Sequence, residues 1–157
     1  DEHYPVPDGS IPLAIATHPH GDHIEGIKDL LHDFRHRITE FWDPGYYHPI
    51  ASYLEMMVEV ERNPHLLYAQ PTSGYRKWIG DVVLTVMSPA IQLRNRFDTY
   101  GTDINDSSIS VRVEYPAARV IERNKERELI DDPTTMSLML GADSQTLSWS
   151  GSILPLA

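Results

Sequence analysis

A chain of 157 residues is long enough for one domain with a single buried core, and 41% hydrophobic with 23% charged residues is the composition of a soluble globular protein, whose compartment stays open with the cytoplasm favoured. No apolar run approaches the roughly 20 residues a membrane-crossing helix needs, and the lack of cysteine excludes disulfides and thiolate metal ligands alike. A net charge of −10 weighs against a general grip on nucleic acid, although two bound divalent cations would offset four of those charges locally.

In chain order, "DEHYPVPDGS" reads as loop and "IPLAIAT" as a short buried strand. "HPHGDH" follows as a loop, after which Ile24, Ile27, Leu31 and Phe34 recur at helical spacing. "RITEFWD" is a second strand closed by the turn "DPG". Residues 49–68 suggest a helix that Pro64 ends or kinks. "WIGDVVLTVMSP" is a hairpin turning at Gly80-Asp81, and residues 88–106 form a long polar loop. "SISVRVEY" alternates as a half-buried strand, with Ile109, Val111, Val113 and Tyr115 on one face. "ERNKERELIDDP" is a charge-dense surface segment, "TMSLMLGAD" a final strand, and the tail "SQTLSWSGSILPLA" has no firm pattern.

The stretch that carries chemistry is "ATHPHGDHIEG", which sets three histidines and an aspartate within positions 18–23. By composition alone, His-x-His-x-Asp-His arises on the order of once in a thousand such chains. Imidazole and carboxylate are the donors that hold borderline divalent metals. His18 and His20, two apart on extended backbone, can turn to one side and grip one ion. Asp22 and His23 follow a glycine that lets the chain turn toward a second ion, with Asp22 near a helix start. The competing reading is an exposed polar loop whose aspartate caps the helix.

"THPHGDHIEGI" resembles the signature of the metallo-β-lactamase superfamily. The segments downstream are similar to those of ComEC-type competence hydrolase domains: "GDVVLTVMSP" at 80–89, "NDSSISVRVEY" at 105–115 and "SLMLGAD" at 137–143. The resemblance covers about residues 11–145 and implies an α/β, α+β four-layer αββα sandwich, treated as a single domain over 1–157. It also implies a site with one or two divalent ions, zinc first, manganese or iron as alternatives. In it His18 and His20 bind the first ion, Asp22 and His23 the second, and Asp143 bridges them. The implied reaction is hydrolysis by a metal-activated hydroxide, with Asp22 orienting the water and taking up its proton.

The chain departs from that pattern in several places. Asn105 and Asp106 stand where most members of the superfamily have a third histidine, and ComEC-type domains are similar in having an asparagine there. Gly141-Ala142-Asp143 is one residue longer than the usual Gly-Asp, and no histidine follows His65. The early Asp-x-Gly strand is missing too, so the sequence reads as the middle of a fold, incomplete at both ends. The first expectation for substrate is a phosphodiester, nucleic acid or nucleotide. The alternatives are small esters, thioesters or lactams on the same fold, or a non-catalytic scaffold with a degenerate metal site. Lesser candidates are His48 as a replacement ligand, Ser107 and Ser108 as pocket residues, and Trp42, Tyr46 and Tyr47 as stacking platforms. For each of these, plain loop, strand or packing roles are the stronger expectation. His3, His32, His36 and His65 read as solvent-facing.

Overall fold

The structure, a computed structural model, describes residues 9–95, 103–115, 119–123, 126–130 and 135–156. It is a mixed α/β protein in two compact units, Asp1–Gln70 and Pro71–Ala157.

The first unit alternates strand and helix. β1 (Ala14–Ile15) leads through the histidine loop to α1 (Gly21–Ile24) and α2 (Ile27–Asp33), and β2 (Glu40–Trp42) leads to α3 (Ala51–Arg62) and β3 (Leu67–Ala69). The strands form one parallel sheet in the order β1-β2-β3, with Ile15 opposite Trp42 and Trp42 opposite Ala69. Parallel strands need helical crossovers, and the apolar faces of those helices must bury somewhere. Here Ile24 and Leu31 join Tyr53, Met56 and Val60 of α3 and Phe41 of β2 in one core, with Ile27 and Phe34 packed at its margin. The helical spacing seen in the sequence is therefore the buried stripe.

The expected helix over 49–68 stops at Arg62. Asn63 leaves the helix at φ −110°, ψ 90° because Pro64 disfavours helical backbone in the residue before it. Leu67–Ala69 is then free to pair with β2 as β3, so this part of the helix expectation is corrected.

The second unit is antiparallel. β4 (Arg76–Ile79) and β5 (Val82–Ser88) make the expected hairpin, in which Gly80 takes φ 58° in a two-residue turn. β6 (Ser110–Tyr115) and β9 (Met136–Leu140) complete a sheet of order β4-β5-β6-β9. β7 (Arg119–Arg123) and β8 (Glu126–Ile130) form a separate antiparallel ribbon, which takes in the described part of the charge-dense segment.

The loop expected over 88–106 contains a helical turn, α4 (Ile91–Arg94), and a 3-10 turn at Ile104–Ser107. Its residues 96–102 lie outside the described residues, as do residues 1–8 and with them His3. The patternless tail is helical from Thr146 to Leu156: α5 (Thr146–Ser148), a π turn (Trp149–Ile153) and α6 (Leu154–Leu156). On β6 the expected alternation of burial fails at its start, because Ser110 is as buried as Val111.

Candidate metal centre

The histidine loop leaves the carboxyl end of β1. Ala16 N–H still donates to the Trp42 carbonyl at 2.9 Å, which carries the β1–β2 pairing one residue further before the chain turns. Pro19 fixes its own φ and holds His18 extended. His20, the residue capping α1, is extended too, at φ −74°, ψ 144°. Alternate residues of extended backbone face the same way. The consequence is direct: His18 Nε2 lies 3.2 Å from His20 Nδ1, with ring centroids 4.9 Å apart and nearly perpendicular planes.

The first turn of α1 then brings the third imidazole back. His23 and Ile24 N–H groups both donate to the His20 carbonyl, at 3.0 and 3.2 Å. That turn sets the His23 ring 4.2 Å from the His18 ring, centroid to centroid. His18 is fully buried, with the Thr17 hydroxyl 3.3 Å from its Nδ1. The side chain of His23 is 32% exposed and that of Asp22 is 82% exposed, with Asp22 Oδ2 3.7 Å from His23 Nε2. The loop thus has a dry end at His18 and a wet end at Asp22.

This donor set fits a divalent ion. Two imidazole nitrogens about 2.0–2.1 Å from one tetrahedral zinc lie about 3.3 Å from each other. The His18–His20 nitrogen pair already has that separation. A neutral imidazole pair can share only one proton across such a contact, so the close approach of two nitrogens from alternate residues suits an ion at least as well as a hydrogen bond.

Of the residues expected in the site, His18, His20 and His23 come together, and Asp22 stands beside His23. Asp143 belongs to the second unit. It is exposed, in the turn after β9, where Ala142 takes φ 48°. That turn is pinned by serines. The Ser110 hydroxyl donates to the Gly141 carbonyl at 2.8 Å and meets Ser144 Oγ at 2.5 Å. Ser88 Oγ lies 3.4 Å from Ser144 Oγ and donates to the Ser108 carbonyl at 2.6 Å.

Asp106 has a structural part: its Oδ1 accepts from Ser148 N–H and Oγ, each at 3.3 Å, tying the 3-10 turn to α5. Ser107 Oγ is likewise spent on the Ile104 carbonyl at 2.6 Å. Ser108 Oγ and Asn105 Oδ1 are buried with no hydrogen-bond partner among the described residues.

Trp42 is fully buried and its indole N–H donates to Glu40 Oε1, which removes it as a stacking platform. Tyr47 is exposed and packs edge-on to the Tyr53 ring at 6.1 Å. His32, His36 and His65 are exposed, as the sequence suggests.

Two residues near the loop carried no strong sequence signal. Asp43, read only as part of a turn, is buried at the carboxyl end of β2. Its Oδ1 accepts from Gly45 N–H at 2.8 Å and from the Tyr68 hydroxyl at 3.0 Å. Gln70 Nε2 donates to the same Tyr68 oxygen at 2.7 Å. Burial first, and the Asp43 charge second, push the Tyr53 and Tyr68 hydroxyls well above the ordinary phenol range. The other is His48, whose ring lies 6.5 Å from that of His20. Knowing that β1 and β2 are parallel neighbours would have found both, since their carboxyl-end loops then open side by side.

Comparison of the chain with family models, with curated proteins and with solved structures found no match.

Proposed function

We propose that this protein is a metal-dependent hydrolase of the metallo-β-lactamase type, an αββα sandwich acting on phosphodiesters of nucleic acid or nucleotides. The observation that carries the reading is the convergence of three imidazoles from a single strand-to-helix loop, with His18 Nε2 and His20 Nδ1 3.2 Å apart. In this reading His18 and His20 hold one ion, His23 and Asp22 a second, and Asp143 is their shared ligand, as the sequence resemblance implies. Zinc suits the mixed imidazole and carboxylate donors best, with manganese and iron next.

A bound divalent ion supplies a water acidified to a pKa of about 7 and a Lewis acid for the electrophile. The chain's own residues divide the remaining work by exposure. His18 is buried and locked by its neighbours, so it fixes the position of the site. Asp22, facing solvent one residue from His23, orients the attacking water and accepts its proton.

The test is turnover of bis-p-nitrophenyl phosphate by protein purified without chelator and then supplied with zinc or manganese. Wild-type protein hydrolyses the ester, and His20→Ala falls to the buffer rate. Equal background rates for the two proteins would leave a scaffold. Cleavage of a thioester or lactam with DNA and the phosphodiester untouched would move the substrate to that class.

A further inference from the structure

His48 sits in the loop that runs from the carboxyl end of β2 to the start of α3. β2 is the parallel neighbour of β1, so this loop and the histidine loop leave the same edge of the sheet from adjacent strands. Ligand sites in open parallel sheets form at that edge, where loops from neighbouring strands converge.

The loop is held rather than free. Asp43 Oδ1 accepts Gly45 N–H at 2.8 Å, and Gly45 takes φ 80° to close that turn. Tyr47 packs edge-on to Tyr53 of α3 at 6.1 Å between centroids. Ile50 N–H donates to the His48 carbonyl at 2.9 Å, and Pro49 restricts His48 to extended backbone. The half-buried His48 ring ends 6.5 Å from the His20 ring, at an interplanar angle of 80°.

Histidine rings sharing a tetrahedral zinc have centroids about 5 Å apart, because each lies about 3.2 Å from the metal. The His18 and His20 rings, at 4.9 Å, have that spacing. His48 is about 1.5 Å further out, a distance that a side-chain rotation covers without backbone movement. Zinc sites take at least three protein ligands. Two from the first loop and one from the second satisfy that minimum at one edge of one sheet.

We infer that His48 is the third imidazole ligand of the ion held by His18 and His20, so that the loops after β1 and β2 together form the cage. The inference rests on the metal-centre reading above and adds a residue to it. It also defines a use for the segment "PGYYHPI": the anchored tyrosine and the proline on either side of His48 set the direction from which the ring approaches.

The experiment is a titration of the apo protein with Co2+, followed by its visible ligand-field absorption, for wild type, His48→Ala, His48→Asp and the surface control His36→Ala. Wild type and the control give the same intense band of a low-coordinate imidazole site. His48→Ala weakens Co2+ binding by at least about tenfold and reduces the band as water replaces the ring. His48→Asp restores affinity while shifting the band, since a carboxylate is also a ligand. Far-ultraviolet circular dichroism stays constant across the set, because His48 is in a loop outside the core. A His48→Ala curve and spectrum superimposable on wild type would overturn the inference while leaving the His18–His20 centre in place. A wild type that binds no Co2+ overturns both.

Discussion

The serines at positions 108 and 110 separate two effects that hydropathy treats as one. Both are fully buried, Ser110 at the start of β6 and Ser108 two residues before it, yet among the described residues only the Ser110 hydroxyl finds a partner. Ser110 Oγ donates to the Gly141 carbonyl at 2.8 Å and is joined to Ser144 Oγ at 2.5 Å, so it fastens the turn that carries Asp143. Ser108 Oγ has no partner among the described residues.

A made hydrogen bond contributes about 1 kcal/mol, and stranding its buried partner adds to the loss. Ser110→Ala therefore destabilises by about 2 kcal/mol, or roughly 4–8 °C in melting temperature for a chain of this size. Ser108→Ala removes a desolvated hydroxyl that receives nothing in return. It is neutral, or stabilising by up to about 1 kcal/mol. Urea denaturation followed by tryptophan fluorescence gives both values, with calorimetry as a check. Equal destabilisation by the two substitutions would refute the claim that hydrogen bonding, rather than volume, sets the energetics at this strand.

Asp22→Asn lowers phosphodiester turnover by about a hundredfold or more, while the unfolding midpoint stays within about 0.5 kcal/mol of wild type because the side chain is 82% exposed. Steady-state kinetics beside urea curves distinguish this from a folding defect. Met56→Ala, emptying a fully buried position in the core of the first unit, costs about 2–5 kcal/mol in the same denaturation assay. Tyr53 and Tyr68 are held protonated in the folded state, first by burial and then by the Asp43 charge. Their stabilising effect is full below the unfolded phenol value of about 10 and is lost as pH rises above it. Urea midpoints measured from about pH 9 to about pH 11 fall steeply for wild type and less steeply for Tyr53→Phe.

Where one local rule governed, the sequence was readable. The spacing of Ile24, Ile27, Leu31 and Phe34 marks the buried stripe of α1 and α2, and Gly80-Asp81 marks the β4–β5 turn. The histidine signature needed only alternation on extended backbone followed by one helical turn, and that is how His18, His20 and His23 meet. Failures came where tertiary partners decide. "LLYA" has no local feature that favours a strand over a helix end, and β3 exists because β2 offers a parallel edge. The charge of "ERNKERELIDDP" gave no secondary structure, and the strands found there pair with each other. Ser110 looked solvent-facing because alternation cannot register the Gly141 carbonyl that satisfies its hydroxyl. His48 was dim for the same reason: its proximity to His20 depends on strand order, which spacing along the chain does not encode.

Isothermal titration of chelator-treated protein with zinc, alongside the His18→Ala variant, bears most directly on the whole account. Wild type takes up at least one ion per chain with micromolar or tighter affinity, and His18→Ala loses that uptake while keeping its circular dichroism. Heats indistinguishable between the two proteins, or no uptake by wild type, would mean that the loop after β1 is an ordinary polar turn.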